Sequence, residues 1–358
     1  MKSTKRFSWS AGVVFLVAFF LMSGSSAFGY KPRVNMLVAP MGSGAMEGNQ
    51  MLQGILDRRG ADVHLEAQET PGYIYNLRAM SLEPGRWKNT VFLSEEDVIA
   101  AARLGGEPDV KEFFPEKLDR EWRILWGKGR CAAGHTYITF DPNIKTIEDI
   151  KGKRVGLGRR TMSCWGMVAY HNLLFGAGIT PDNTDIFHMG PRPATEALID
   201  GTVDVIMNGF KMNHDASILN LPGHLRELEA TGRKFYYVEV PQEALDKANE
   251  AIGKRTPSFT LAAGSMPQQD RDILIAADAE YAVASPEFDE EAAYRLVKAV
   301  ATYGPQLKGS HSYWDVVTHD MMLYGLSEEN THPGAVRAYK ELGLWDLTKN
   351  SEPSPYFN

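Results

Sequence analysis

From residue 34 onward, short apolar runs alternate with amphipathic segments. Val34-Asn35-Met36-Leu37-Val38-Ala39 predicts a strand, and Pro40-Met41-Gly42-Ser43-Gly44 a glycine turn. Met51, Leu52, Ile55 and Leu56 then recur at helical spacing, and Gly60 stops that helix from the C′ position. Val63, Leu65 and Ala67 alternate along a second strand, so this block is a βαβ unit with a parallel sheet. Glu69 to Leu77 reads as a turn opening a helix, and Asn89 to Leu93 as a further strand. Ser94-x-x-Asp97 reads as the cap of a helix over Val98 to Leu104, and the polar Glu107 to Lys117 as a surface loop. Leu125-Trp126 and Tyr137-Ile138-Thr139-Phe140 are strand-like, with Gly127 to Gly134 between them as a loop.

The alternation resumes over Thr146 to Ile179. Thr146 and Asp149 make a capping-box start, Arg154 to Leu157 is a short buried strand, and Gly158 breaks it. Arg159-Arg160-Thr161-Met162-Ser163 is expected to open a helix that runs to Gly176-Ala177-Gly178. Free N–H groups, the positive end of a helix dipole, two arginines and two hydroxyls together suit a carboxylate or phosphate. On their own, Arg159 and Arg160 read equally well as solvated surface cations. Ile186 to Met189, Pro193 to Ile199 and Val203 to Met207 repeat strand, helix and strand, and Asn208-Gly209 ends the last of them where a ligand could sit. Val240 to Arg255 is expected as an exposed helix, Asp272 to Ala282 as a strand crossing back to the first block, and Asp289-Glu290-Glu291 as the start of a helix through Ala299. Two βαβ blocks joined by crossing strands describe an α/β protein whose two lobes enclose a cleft.

A chain of 358 residues is long enough to give each lobe a core. Its start reads as a secretory signal: Lys2, Lys5 and Arg6 precede the apolar Ala11 to Met22, and Ser25-Ser26-Ala27 offers a small-residue cleavage site. The mature chain is then expected to begin near Phe28, with no cysteine there to carry a lipid, and to be a soluble periplasmic monomer. Without residues 1–27, 35 Lys and Arg face 45 Asp and Glu, a net charge of −10 that argues against nucleic acid or an anionic membrane as partner. An anionic ligand must therefore be held by a local positive site. No later run is apolar and long enough to span a bilayer. Cys131 and Cys164 are the two cysteines; the exported compartment permits a bridge, and two buried free thiols are the other reading.

Other chemistry finds little support. None of the nine histidines has H-x-x-x-H spacing, so no metal is expected. There is no G-x-S-x-G elbow and no local Cys-His motif, so the chain is not expected to be an enzyme. Gly42-x-Gly44-x-x-x-Gly48, with Glu66 after the next strand, imitates a dinucleotide fingerprint but departs from its spacing, so no cofactor is expected.

The order of signal segment, Gly-Ser-Gly turn, QETPGYIYNLRAM, IEDIKGKRVGLG, ATEALIDGTVDVIMNG and THPGAVRAYKELGLW resembles the TAXI family, the periplasmic solute-binding proteins of TRAP transporters. The resemblance covers nearly the whole mature chain. Its most specific elements are His332-Pro333-Gly334-Ala335 and Tyr339-Lys340-Glu341-Leu342-Gly343, where His332 has a structural part in a Pro-Gly turn. It implies an α/β, type II periplasmic-binding-protein (venus-flytrap) fold, a small carboxylate ligand such as glutamate or 2-oxoglutarate, and delivery to a membrane permease. On that plan residues 1–27 are the signal peptide, 28–139 the first part of lobe 1, 140–276 lobe 2, and 277–358 the return to lobe 1. First-lobe contacts would fall at Ser43, Gly44, Thr70, Tyr73, Asn76 and Ser94, and second-lobe contacts at Arg159, Arg160, Thr161 and Ser163, with Trp165 and Asn208 beside them. Arg159 or Arg160 would pair with the anion, the hydroxyls and Asn76 would hydrogen-bond it, and Tyr73 and Trp165 would set the size of the cleft. Gly72-Tyr73 stands where the family usually has Gly-Ser, and Arg160 to Cys164, followed by Trp165, stands where it has a Pro-Gly-Ser-Gly-Thr-like run. Bulk and charge on both sides of the cleft imply a different solute: a second carboxylate, a sulfonate or phosphonate, or an aromatic body. Two other readings use the same chain, a periplasmic sensor serving a signalling receptor and a secreted cofactor-dependent enzyme.

Overall fold

The computed structural model describes residues 31–357; the signal segment and the expected mature start near Phe28 lie outside them. All the elements belong to one compact unit, Arg33–Asn358. β1 (Arg33–Leu37), α1 (Gly44–Arg58) and β2 (His64–Gln68) form the first crossover, with Ser43 capping α1 through Met46 N–H at 3.2 Å. α2 (Tyr73–Leu82) and β3 (Thr90–Glu95) follow, and α3 (Glu96–Arg103) begins where β3 stops. β4 (Arg123–Cys131) and β5 (Thr136–Thr139) lead to the second block. That block holds β6 (Arg154–Leu157), a π-helical turn over Ser163–Val168 continued by α4 (Ala169–Ala177), β7 (Asp185–His188), α5 (Pro191–Asp200) and β8 (Val205–Asn208). Short β9 (Lys211–Met212) and β10 (Leu219–Asn220) precede α6 (His224–Ala230), β11 (Tyr236–Glu239) and α7 (Gln242–Ala251). β12 (Ser258–Leu261), β13 (Ile273–Ala276) and β14 (Asp278–Ala284) complete the strands, and α8 (Glu290–Tyr303), α9 (Ser312–Asp315), α10 (His319–Met322) and α11 (Pro333–Glu341) close the chain.

One sheet runs β10-β9-β4-β14-β3-β1-β2 and a second runs β11-β5-β8-β6-β7. Both follow one plan: three parallel strands (β2-β1-β3, β7-β6-β8) extended by antiparallel ones. This is the two-lobed α/β fold. In each lobe the order reverses at a switch point, β1/β3 or β6/β8, and the C-terminal ends of strands at such a point open a crevice where ligands bind. The chain passes between these sheets at 131–136, 208–211 and 220–236, and returns to the first at 276–278 from a small third sheet of β12 and β13. Two of these crossings are tied to each other, by Ala132 N–H to Phe210 O at 3.0 Å and Gly134 N–H to Asn208 O at 3.1 Å. His332 caps α11 by accepting Gly334 N–H on Nδ1 (3.3 Å), and its Nε2 meets Phe288 O at 3.1 Å.

Several local expectations are corrected. Gly127 to Cys131 is not a loop: β4 runs through it, pairing with β14. The glycines there answer to packing, since a Cβ on Gly127 would lie 2.2 Å from Met321 O, and Gly129 holds φ +103°. Asp272 to Ala282 is two strands in different sheets, β13 and β14, with Ala277 between them. The cap of α3 is not Ser94; the Asp278 carboxylate accepts Asp97 N–H from across the fold at 2.8 Å. Arg159 to Met162 precede the helix rather than opening it, because the chain curls there until Gly166 lies against Arg159 O. The supposed surface loop buries Val110, Phe113 and Phe114, and the supposed exposed helix ends beside Lys254, which is buried. Among the described residues no helix is long and apolar enough to cross a membrane.

Candidate functional site

The lobes meet through two of the loops named from sequence. Gly72 has φ +142°, and a Cβ there would lie 2.4 Å from Thr161 O of the other lobe. Only glycine permits that approach. Ile74 N–H donates to Thr161 O at 3.3 Å, Thr161 Oγ1 donates to Pro71 O at 2.8 Å, and Ser163 Oγ donates to Glu95 at the end of β3.

Beneath this seam lies a cluster of buried charges. Lys128, on β4, is fully buried, and its ammonium donates to Asn49 Oδ1 at 2.8 Å. It stands 4.9 Å from the centre of the Tyr313 ring and 5.9 Å from that of Trp126. Among the described residues no carboxylate lies within ion-pair distance of it. Burial pulls its pKa down to about 7, against the upward pull of Glu280. Lys211, on β9, donates instead to Glu280 on β14. Burial alone would depress this second ammonium, but Glu280 beside it holds it up at about 12. Tyr313 Oη donates to Glu280 at 3.3 Å, and Tyr73 also bonds it; burial first, then the Glu280 charge, push both phenols well above their usual range. Glu95 is pushed up to about 7 by burial and by Glu280, against hydrogen bonds from Ser163 and Cys164. Cys131 and Cys164 are both buried free thiols, and burial together with a hydrogen bond to Cys131 raises the Cys164 thiol.

The other expected site residues divide between this seam and the lobe interiors. Thr70 is buried, and its Oγ1 has no partner among the described residues. Asn76 is fully buried with its Nδ2 donating to Leu37, Val38 and Leu93 carbonyls at 3.2, 2.8 and 3.2 Å, which ties β1 to β3. Ser94 is buried in β3, Ser43 is engaged in its cap, and Gly44 is the first residue of α1. Asn208 joins Thr136 Oγ1 (3.1 Å) to His224 Nε2 (3.0 Å) inside the second lobe, and Trp165 sets its ring edge-on to His224 at 6.1 Å. Arg159 is exposed, and Arg160 pairs with Glu112 and faces the Tyr170 ring at 5.8 Å. The two buried lysines were not found from sequence, because Gly127-Lys128-Gly129-Arg130 reads as a polar turn and Lys211 falls just past the Asn208-Gly209 strand end. Their only signal was charge set in an otherwise apolar stretch.

A second buried network braces the first lobe. Lys254 donates to Asp97 Oδ1 at 2.7 Å and to Asp278, with Glu96 at 3.7 Å, tying the segment after α7 to α3 and β14. Surface recesses beside Arg233 and Asp270, and beside Ser81 and Asp119, lie elsewhere.

Three solved structures are similar over most of their length. A "periplasmic transporter" is 12% identical, with 90% of this chain and 97% of that one covered at a TM-score of 0.47. A TctC solute-binding protein from Polaromonas is 16% identical, with 90% and 100% covered at 0.44. The periplasmic aliphatic sulphonate binding protein SsuA from Escherichia coli is 13% identical, with 91% and 81% covered at 0.35. Likeness at this level carries no correspondence of residues. The NMT1-like family matches residues 132–343, well over half of the chain, from the crossing after β4 to the end of α11. The chain belongs to the NMT1-like family.

Proposed function

We propose that this protein is an extracytoplasmic solute receptor that captures a small organic anion between its lobes and hands it to a membrane permease, of the TRAP type that the TAXI resemblance implies. The observation that carries this reading is Lys128: a fully buried ammonium held by one amide oxygen and two aromatic rings, with no carboxylate beside it. A buried charge without a counter-charge is costly, and an incoming carboxylate or sulfonate supplies one. Lys211 is already matched by Glu280, so Lys128 is the anchor, and the Tyr313 and Tyr73 hydroxyls turn from Glu280 to the bound anion. Arg159 and Arg160 stand at the outer edge of the seam, where they guide an anion inward rather than hold it. Binding is the whole mechanism: the lobes part at the Gly72–Thr161 contact, the anion enters, and closure excludes water. A receptor of this kind works in the periplasm as a monomer with no cofactor.

The test is a thermal-shift screen of the chain from Phe28 onward against mono- and dicarboxylates, amino acids, aromatic acids and sulfonates, since a ligand that binds only the folded state raises the melting temperature with its concentration. Losing one charge-assisted hydrogen bond should weaken a hit by about 10- to 100-fold in Lys128→Met. Arg160→Ala should leave it within a few-fold. A hit that survives Lys128→Met and disappears in Arg160→Ala would move the anion site to the arginines. Stabilisation by dinucleotides alone would overturn the receptor reading.

A further inference from the structure

We infer that Glu95, Cys131 and Cys164 form a buried site for a thiophilic divalent cation of the zinc class, with ligands drawn from both lobes. One carboxylate oxygen and the two sulfurs lie within 4.8 Å of one another, and all three residues are buried. Sulfurs each about 2.3 Å from a tetrahedral ion sit about 3.8 Å apart, so a small inward movement completes the set. The donors suit such an ion: two thiolates favour zinc or cadmium over calcium or magnesium, and a carboxylate adds a third ligand.

The surroundings favour a cation at this spot. Glu95 is the counterpart of Lys128: among the described residues no Lys, Arg or His lies within ion-pair distance of it, because Lys211 is engaged with Glu280. Its carboxylate is instead held by Ser163 Oγ, the kind of outer hydrogen bond that orients a ligating oxygen. With Glu95 ionised, binding leaves the buried charge unchanged. Two S–H bonds break and two sulfur–metal bonds form, two protons pass to solvent, joined by a third wherever the Glu95 carboxyl starts protonated, and no electrons change hands. Glu95 ends β3 and Cys131 ends β4 in the first sheet, while Cys164 sits in the π-helical turn of the second lobe. A bound ion therefore fastens the lobes, and parting them opens its way in. No spacing motif announces the site, since its ligands are far apart in sequence. It rests on a different group of residues from the anion reading and stands or falls separately.

Cadmium is the probe, because thiolate coordination gives it an ultraviolet charge-transfer absorption. Protein purified without reductant or chelator should show two titratable thiols on unfolding, and should bind one cadmium ion per chain with that absorption and the release of two to three protons. Zinc should displace the cadmium. Cys131→Ser and Cys164→Ser should each lose the absorption and Glu95→Gln should weaken binding, while His214→Ala, at an exposed His–Asp pair, should change nothing. Circular dichroism of each variant separates loss of the site from loss of the fold. Two free thiols that give no absorption in the wild-type protein would overturn the proposal. So would purification with no free thiols, which would make the pair a disulfide.

Discussion

Lys128 allows a test that needs no ligand. Its pKa falls from the usual 10.5 to about 7, chiefly through burial. Below pH 7 the ammonium is charged in both folded and unfolded chains, and the cost of burying it is fully felt. Between 7 and 10.5 the unfolded chain holds a proton that the folded one has lost, so stability rises with pH through that window. The gain is a few kcal/mol at most. Lys128→Met should therefore be more stable than the wild type at pH 6.5, with the difference shrinking toward pH 10, as read from urea midpoints. Equal midpoints at pH 6.5 would mean that Lys128 keeps a partner in solution. At this scale the sequence was only partly legible. Gly72, Thr161 and Ser163 fall where the lobes meet, in turns before helices that announce themselves through glycine and hydroxyl residues. The burial of Lys128 and Lys211 was not legible, because a charge in a glycine-rich run or just past a strand end reads as solvated until its partners are known.

Among the elements, the turn before α2 and the run before α4 form the latch between the lobes. Gly72→Ala puts a Cβ 2.4 Å from Thr161 O at φ +142°, so either the latch or the turn has to give. The latch is the weaker, because the turn itself is held by only Ile74 N–H to Thr161 O and Thr161 Oγ1 to Pro71 O, with Ser163 Oγ to Glu95 and the Arg160–Glu112 pair beside it. Gly72→Ala should thus keep its secondary structure, increase its radius of gyration in small-angle scattering, and bind any solute found by the screen at least about 10-fold more weakly. An unchanged scattering profile with undiminished affinity would show that this contact does not control closure. Elements with clean periodicity, such as α1 and β6, were readable from their patterns. β4 was not, because its glycines are set by Met321 and Met212 carbonyls that come from far along the chain, and no local pattern encodes a distant neighbour.

For the whole molecule, acid sensitivity should follow from histidines sealed inside it. His135, His171 and His224 are each held near 4 instead of 6.5, with burial the leading cause. A depressed histidine pKa means that the unfolded chain binds a proton the folded chain refuses. The stabilisation is complete above 6.5 and is lost as pH falls toward 4. Three such groups titrating together give a slope of up to about 4 kcal/mol per pH unit near pH 5, a ceiling that internal water would lower. Two effects pull the other way: Glu95, raised to about 7, takes up a proton in the folded chain before the unfolded one does and cancels about one ring, and adding protons to a chain of net charge −10 from Phe28 onward relieves self-repulsion. The sealed imidazoles should win, since screened surface repulsion amounts to fractions of a kcal/mol per site while each buried ring is worth up to roughly 3 kcal/mol. Urea midpoints should therefore fall steadily from pH 7 to pH 5. His224→Gln keeps a group able to donate to Asn208 Oδ1 in place of the ring nitrogen and should take up to about 1.4 kcal/mol per pH unit off the slope. A midpoint that stays level or rises between pH 7 and pH 5 would mean that these rings reach solvent in the folded protein, and that the lobes are more open in solution than the Gly72–Thr161 contact implies.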